Sequence, residues 1–117
     1  MKKGAIDAAI DMAYRSEQNF KHGAVVVQNG KVCSSGHNKV TCKISHLYSC
    51  HAEMAAINRF SDKTKTLTDA HMYVVRINKC GLADSKPCKK CMSYMKAHGI
   101  SRVFFSTGTD TFGSLYV

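Results

Sequence analysis

The sequence predicts an α/β protein, a mixed β-sheet covered by helices. Three observations predict it. Asn29-Gly30, a hairpin dipeptide, joins two strand-like runs, a buried strand precedes a helix and another strand, and two helices start at motifs rich in metal-binding side chains. Ile6, Ala9, Ile10 and Ala13 fall at helical spacing and predict an amphipathic opening helix over about residues 4–17. Ala24 to Gln28 is a β-branched run, Asn29-Gly30 suits a type I′ turn, and Lys31 to Gly36 is the returning strand. A loop from His37 to Tyr48 leads to a helix over about residues 50–60, with Ser49 as its N-cap and Met54, Ala55, Ala56, Ile57 and Phe60 on its apolar face. Met72 to Ile77 reads as a buried strand, Pro87 to His98 as a helix stopped by Gly99, and Arg102 to Ser106 as another strand. The two strands flanking that helix form a βαβ unit and should pair in parallel. The order α-β-β-α-β-α-β fits one domain over residues 1–117, long enough for a modest core.

Composition removes several classes. No stretch approaches transmembrane length, and Asp7 and Asp11 interrupt the apolar run that a signal peptide would need after Met1-Lys2-Lys3. A cytoplasmic protein without a membrane partner is the expectation. Six cysteines would suggest disulfides in a secreted chain, but that context is missing. Cys33, Cys42, Cys50 and Cys80 read as free thiols packed as small apolar groups. The sharper alternative joins Cys42, Cys50, Cys80 and His46 in a second, structural metal site, although their spacing matches no recurring zinc framework.

Two short motifs carry the chemistry. His51-Ala52-Glu53 and Pro87-Cys88-Lys89-Lys90-Cys91 supply one imidazole and two thiols, a set suited to zinc. Structural zinc takes four protein ligands, whereas a catalytic site keeps three and leaves the fourth position for water. His51, Cys88 and Cys91 make three. Cys88 and Cys91 are three residues apart, on one helical face, and Pro87 suits the first turn of their helix. Thiols at a helix start lie where partial positive charge favours the thiolate that zinc requires. Glu53 is a carboxylate with no cationic partner nearby in sequence, placed to move the proton of a water made nucleophilic by zinc. The competing reading makes His51 a satisfied polar residue and the thiols packing groups. It leaves the coincidence of spacing, proline and carboxylate unexplained.

The net charge of +9 points to anionic partners. Lys86, Lys89 and Lys90 bracket the second motif, and Lys39 and Lys43 lie in the loop leading to the first, so a phosphate-bearing substrate is expected at the site mouth. Lys2, Lys3, Lys63 and Lys65 need be no more than a solvated face.

With motifs and element order together, the chain resembles the cytidine/deoxycytidylate deaminase superfamily, for which H-x-E…P-C-x-x-C is the known signature. The similarity runs from the opening helix through Ser106. It implies a three-layer α/β/α mixed sheet, zinc held by His51, Cys88 and Cys91, and Glu53 as proton shuttle. It also implies that Asn38 contacts sugar or base and that backbone N–H groups near Ala52 and Cys88 flank the reacting groups; Lys86 and Lys89 are expected at the substrate from the charge distribution. The chain departs from the family pattern twice. Residues 107–117 can hold a short strand or a loop but not the further helix and strand that commonly follow. Pocket walls from a neighbouring subunit, and hence a homo-oligomer, are therefore expected. Asp84 also stands three residues before Pro87, where the family often has threonine or serine.

The resulting expectation is hydrolytic deamination of an amino-substituted base, cytosine in a nucleoside or nucleotide such as cytidine or dCMP. One alternative keeps the chemistry and acts on single-stranded DNA or RNA, with Phe112 and Tyr116 stacking on bases. Another, of a different class, is a non-catalytic zinc-stabilised binding module, which would have no use for Glu53.

Overall fold

The structure, a computed structural model, describes residues 3–16, 21–40, 49–60, 67–79, 81–109 and 111–117, with the backbone alone at 39–40 and 49–50. Its elements are α1 (Lys3–Tyr14), β1 (Lys21–Gln28), β2 (Lys31–His37), β3 (Lys39–Val40), β4 (Ser49–Cys50), α2 (Ala52–Asn58), β5 (His71–Asn78), β6 (Gly81–Ala83), α3 (Lys89–Ala97), β7 (Arg102–Gly108) and β8 (Thr111–Tyr116). Six strands form one mixed sheet in the order β2-β1-β5-β7-β8, with β6 paired to β5. β3 and β4 form a separate two-stranded ribbon.

Local chemistry explains the pairings. Asn29 and Gly30 have φ of 52° and 78°, the two left-handed positions of a type I′ turn, and β1 and β2 pair antiparallel across them. β5 and β7 are joined through α3 and run parallel, with His71 opposite Arg102 and Val74 opposite Phe105. β7 returns as β8 antiparallel, so the tail is a six-residue strand. The segment after β5 also holds structure that periodicity does not reveal. Gly81, at φ 114°, turns the chain back so that β6 pairs with β5.

Strand alternation divides the core between two faces of the sheet. Ala24, Val26, Met72, Val74, Val103 and Phe105 face α2 and α3, where Ala52, Ala56, Ile57, Cys91 and Met95 close the layer. Val25, Val27, Tyr73, Val75 and Ile77 face α1. This is the three-layer α/β/α arrangement expected from the sequence. α1 buries Ala5, Ala9, Met12 and Ala13, while Ile6 and Ile10 sit at the margin of that stripe rather than at its centre. The reason is proximity. A Cβ at Gly23 of β1 would lie 2.0 Å from the Ala9 carbonyl oxygen, so only small side chains fit between helix and strand. No helix of the described residues is long and apolar enough to cross a membrane.

α2 is placed by a second close approach. A Cβ at Gly36 would lie 2.4 Å from the Ala56 nitrogen, and the Ser34 hydroxyl donates to the Ala56 carbonyl. At the far end of the helices the Tyr94 hydroxyl donates to Asn58 Oδ1, tying α3 to α2. Gly36→Ala should therefore lift α2 from the sheet and cost about 1–3 kcal/mol, an overpacking penalty. Gly4→Ala, with nothing within 4 Å, should leave stability equal or slightly higher. Thermal unfolding of both variants checks this, and an unchanged midpoint for Gly36→Ala would contradict it.

Candidate active site

The β3–β4 ribbon brings the first motif into place. Lys39 pairs with Cys50 and Val40 with Ser49, so the ribbon ends at the residues next to Asn38 and His51. α2 begins later than its apolar pattern suggests. His51, not Ser49, is the N-cap, with φ −68° and ψ 150°, and its carbonyl accepts the Ala55 N–H at 3.0 Å. α3 is built the same way. Cys88 is the N-cap, with φ −73° and ψ 166°, and its carbonyl accepts the Met92 N–H at 3.0 Å. Pro87 consequently lies one residue before the cap rather than inside the first turn. Caps are ordinarily Ser, Thr, Asp or Asn, whose oxygens bond to the helix N–H groups. Neither His51 nor Cys88 makes such a bond, and both side chains turn toward one another instead.

Cys91, fully buried in the first turn of α3, completes the group. His51 Nδ1 lies 3.1 Å from Cys91 Sγ and 3.7 Å from Cys88 Sγ. All three donor atoms fall within 4.8 Å of one another. Tetrahedral zinc, with bonds of about 2.3 Å to sulfur and about 2.0–2.1 Å to nitrogen, needs its donors about 3.5–3.8 Å apart. The spacing and the soft, mixed donor set fit zinc, with three protein ligands and room for a fourth.

Glu53 stands in the same first turn of α2 and is only 5% exposed. Burial pushes its carboxyl above the ordinary carboxylate range, opposed by a backbone hydrogen bond, the His51 ring and a hydrogen bond with Cys91. Burial also pushes the Cys91 thiol up, and the neighbouring Glu53 and Cys88 act in the same direction. A buried carboxyl and a buried thiol, the thiol further discouraged from ionising by Glu53, are thus held around one point, where a dication would favour both charges.

The remaining expected residues are distributed as follows. Asn38 is buried. Its Oδ1 accepts the His22 N–H at 2.9 Å, and its carbonyl accepts the Ser16 hydroxyl at 3.1 Å, so it also fastens the end of β2 to β1. Ala52 is wholly buried at the start of α2. Lys86, Lys89 and Lys90 are exposed around Cys88, and the Lys86 N–H donates to Asp84 Oδ1 at 3.1 Å. Cys33 is exposed on β2, at the sheet edge, and is not packed as its residue type suggests. Lys43, Cys42, His46 and Cys80 lie outside the described residues, as do the side chains of Lys39 and Cys50. The structure therefore does not bear on the second metal site. Sequence reasoning missed the buried hydroxyls of Ser85 and Ser106, which lie beneath the segment that carries Cys88. Their residue type and spacing give no signal.

A His–Cys–Cys cluster at two helix starts, with a buried carboxylate beside it, defines the site of a zinc-dependent nucleobase deaminase. Residues 2–107 match the family of the cytidine and deoxycytidylate deaminase zinc-binding region, and the chain belongs to that family. Its chemistry is zinc-dependent hydrolytic deamination. Among solved structures it is similar to cytidine deaminase from Burkholderia pseudomallei, with 23% identity, TM-score 0.79 and 99% and 93% of the two chains covered. It is also similar to apo dCMP deaminase from the cyanophage S-TIM5, with 20% identity, TM-score 0.73 and 94% and 88% coverage. The complex of that phage enzyme with dCMP and dUMP aligns with 18% identity, TM-score 0.61 and 90% and 82% coverage. These likenesses establish the fold. No curated protein sequence matches the chain.

The purified chain should carry one zinc at this site. Cys88→Ser and Cys91→Ser should each lose most of it and unfold at lower temperature, because binding energy at such sites contributes to folding. Elemental analysis checks the metal. Full occupancy in both variants would remove these residues from the ligand set.

Proposed function

We propose that this protein deaminates cytosine in a free nucleoside or mononucleotide, with His51, Cys88 and Cys91 holding zinc and Glu53 moving the proton. The observation that carries the reading is the buried Glu53 carboxylate, hydrogen-bonded to Cys91 beside a cluster of three ligands. Zinc, when bound, supplies a Lewis acid that makes water nucleophilic near neutral pH. Glu53 takes one proton from the attacking water and gives it to the ring nitrogen next to the amine-bearing carbon as the water oxygen bonds to that carbon. It then takes the second proton from that oxygen and passes it to the amine, whose bond to carbon breaks to release ammonia. Its raised carboxyl pKa suits a group that must both accept and return a proton. Asn38, at the end of the ribbon that leads to His51, orients sugar or base in this reading, and the buried start of α2 at Ala52 forms one wall.

Support for a small substrate comes from the rest of the surface. Lys86, Lys89 and Lys90 are all exposed within two residues of Cys88 in sequence, enough positive charge for a single phosphate. Phe112 packs against the α1-side core, whereas Tyr116 is largely exposed with the Arg102 guanidinium 5.2 Å from its ring centroid, so only one of the two aromatics is open to stack on a base. The related phage enzyme was crystallised with dCMP and dUMP, which are mononucleotides.

Ammonia release from bases, nucleosides, mononucleotides and short single-stranded oligonucleotides tests the proposal. Turnover is expected with a cytosine nucleoside or nucleotide. Glu53→Gln should retain zinc and lose about two to four orders of magnitude in turnover, the scale of general acid–base catalysis. Lys86→Glu or Lys89→Glu should raise KM for the nucleotide and leave the nucleoside nearly unchanged. Activity on oligonucleotides alone, with binding that falls steeply as salt rises, would contradict the small-substrate reading.

A further inference from the structure

Between β6 and α3 burial alternates residue by residue, and the chain is extended where it reaches Cys88. Asp84, Lys86 and Cys88 are exposed, and Ser85 and Pro87 are buried. In an extended segment successive side chains point to opposite sides, so whatever fixes the phase at Ser85 also fixes the side on which Cys88 emerges.

Ser85 is fixed heavily. Its N–H donates to the Ser106 carbonyl at 2.7 Å. Its hydroxyl lies 3.0 Å from the Val74 carbonyl, 3.1 Å from the Ser106 carbonyl and 2.8 Å from the Ser106 hydroxyl. The Ser106 hydroxyl in turn donates to the Ala83 carbonyl at 2.6 Å and accepts the Arg76 N–H at 3.3 Å. Each hydroxyl has a single proton: Ser106 directs its own to the Ala83 carbonyl, and the Ser85 proton is shared among three acceptors, the Val74 carbonyl, the Ser106 carbonyl and the Ser106 hydroxyl. Two buried hydroxyls thereby join β5, β6, β7 and the segment that reaches α3.

Resting on the zinc reading above, we propose that Ser85 and Ser106 are positioning residues for the metal site: they set the phase and depth of the segment that presents Cys88 to His51 and Cys91. β6 fixes the chain on β5 as far as Ala83, and between there and Cys88 the hydroxyl pair ties the segment to the neighbouring strands β5 and β7. A slip of one residue would point Cys88 away from His51. Loss of the pair would leave the helix start intact but loose, which widens the donor spacing.

Cobalt(II) titration of the whole chain tests this, because its visible and thiolate charge-transfer bands report geometry and sulfur ligation. The parent chain should bind one cobalt with tetrahedral bands. Ser85→Ala should weaken cobalt and zinc affinity about 10- to 100-fold, the usual effect of disturbing a group behind the ligands. Its thiolate band should also fall or shift. Ser106→Ala, which leaves the segment's own residues unchanged, should do the same and serves if Ser85→Ala does not fold. Val75→Ala, a core truncation on the α1 face, should lower the unfolding temperature but keep the parent's spectrum and affinity. Parent-like affinity and bands in both serine variants would overturn the proposal while leaving the zinc reading intact. So would a loss no greater than that of Val75→Ala. A parent chain that binds no cobalt or zinc would overturn both.

Discussion

Two helices have to begin at the same place, and most of the structure serves that requirement. His51 and Cys88 occupy the N-caps of α2 and α3 but do not cap them. Replacing a good cap costs about 0.5–2 kcal/mol of helix stability, so both starts need support from elsewhere. α2 lies directly on β2 at Gly36, and the β3–β4 ribbon holds the residues just before it. α3 is confined by its connections to the parallel pair β5 and β7, and by the Tyr94–Asn58 bond to α2. The sheet is therefore the frame that makes two uncapped helix ends converge.

Electrostatics gives that convergence its chemistry. Cys91 and Glu53 are buried and share a hydrogen bond, and Glu53 disfavours the Cys91 thiolate. Without a cation, burial keeps both acids toward their neutral forms. A dication placed among His51, Cys88 and Cys91 changes the balance, since its field favours both thiolates and the carboxylate at once. Metal binding and the final packing of the two helix starts are consequently coupled, as expected where ligands must deprotonate to bind.

Much of this is legible in the sequence because it depends on short-range chemistry. Asn29-Gly30 specifies a hairpin through two left-handed residues, and Gly99, at φ 86°, ends α3 for the same kind of reason. His51, Glu53, Cys88 and Cys91 can be found because their types and spacing are rare together. Helix starts are read less well. Ser49 has the side chain of a cap, but the β3–β4 pairing keeps residues 49 and 50 extended, and the helix begins after His51. Pro87 suits a first turn, but the buried hold at Ser85 keeps the chain extended through Cys88. The Ser85–Ser106 pair, the turn into β6 and the orientation of β8 depend on contacts between distant segments, which periodicity in one segment does not register. Ile6 and Ile10 stand beside the buried stripe of α1 for a similar reason. The glycine that brings the helix close is Gly23, on another element.

X-ray absorption at the zinc edge tests the central claim most directly, because it counts the ligands and identifies their elements. The expected first shell is two sulfurs at about 2.3 Å and two light atoms at about 2.0–2.1 Å, one from imidazole and one exchangeable. An added competitor for the open position should alter only the light-atom part. A shell of three or four sulfurs, or one that no small ligand can change, would contradict a catalytic centre built from His51, Cys88 and Cys91.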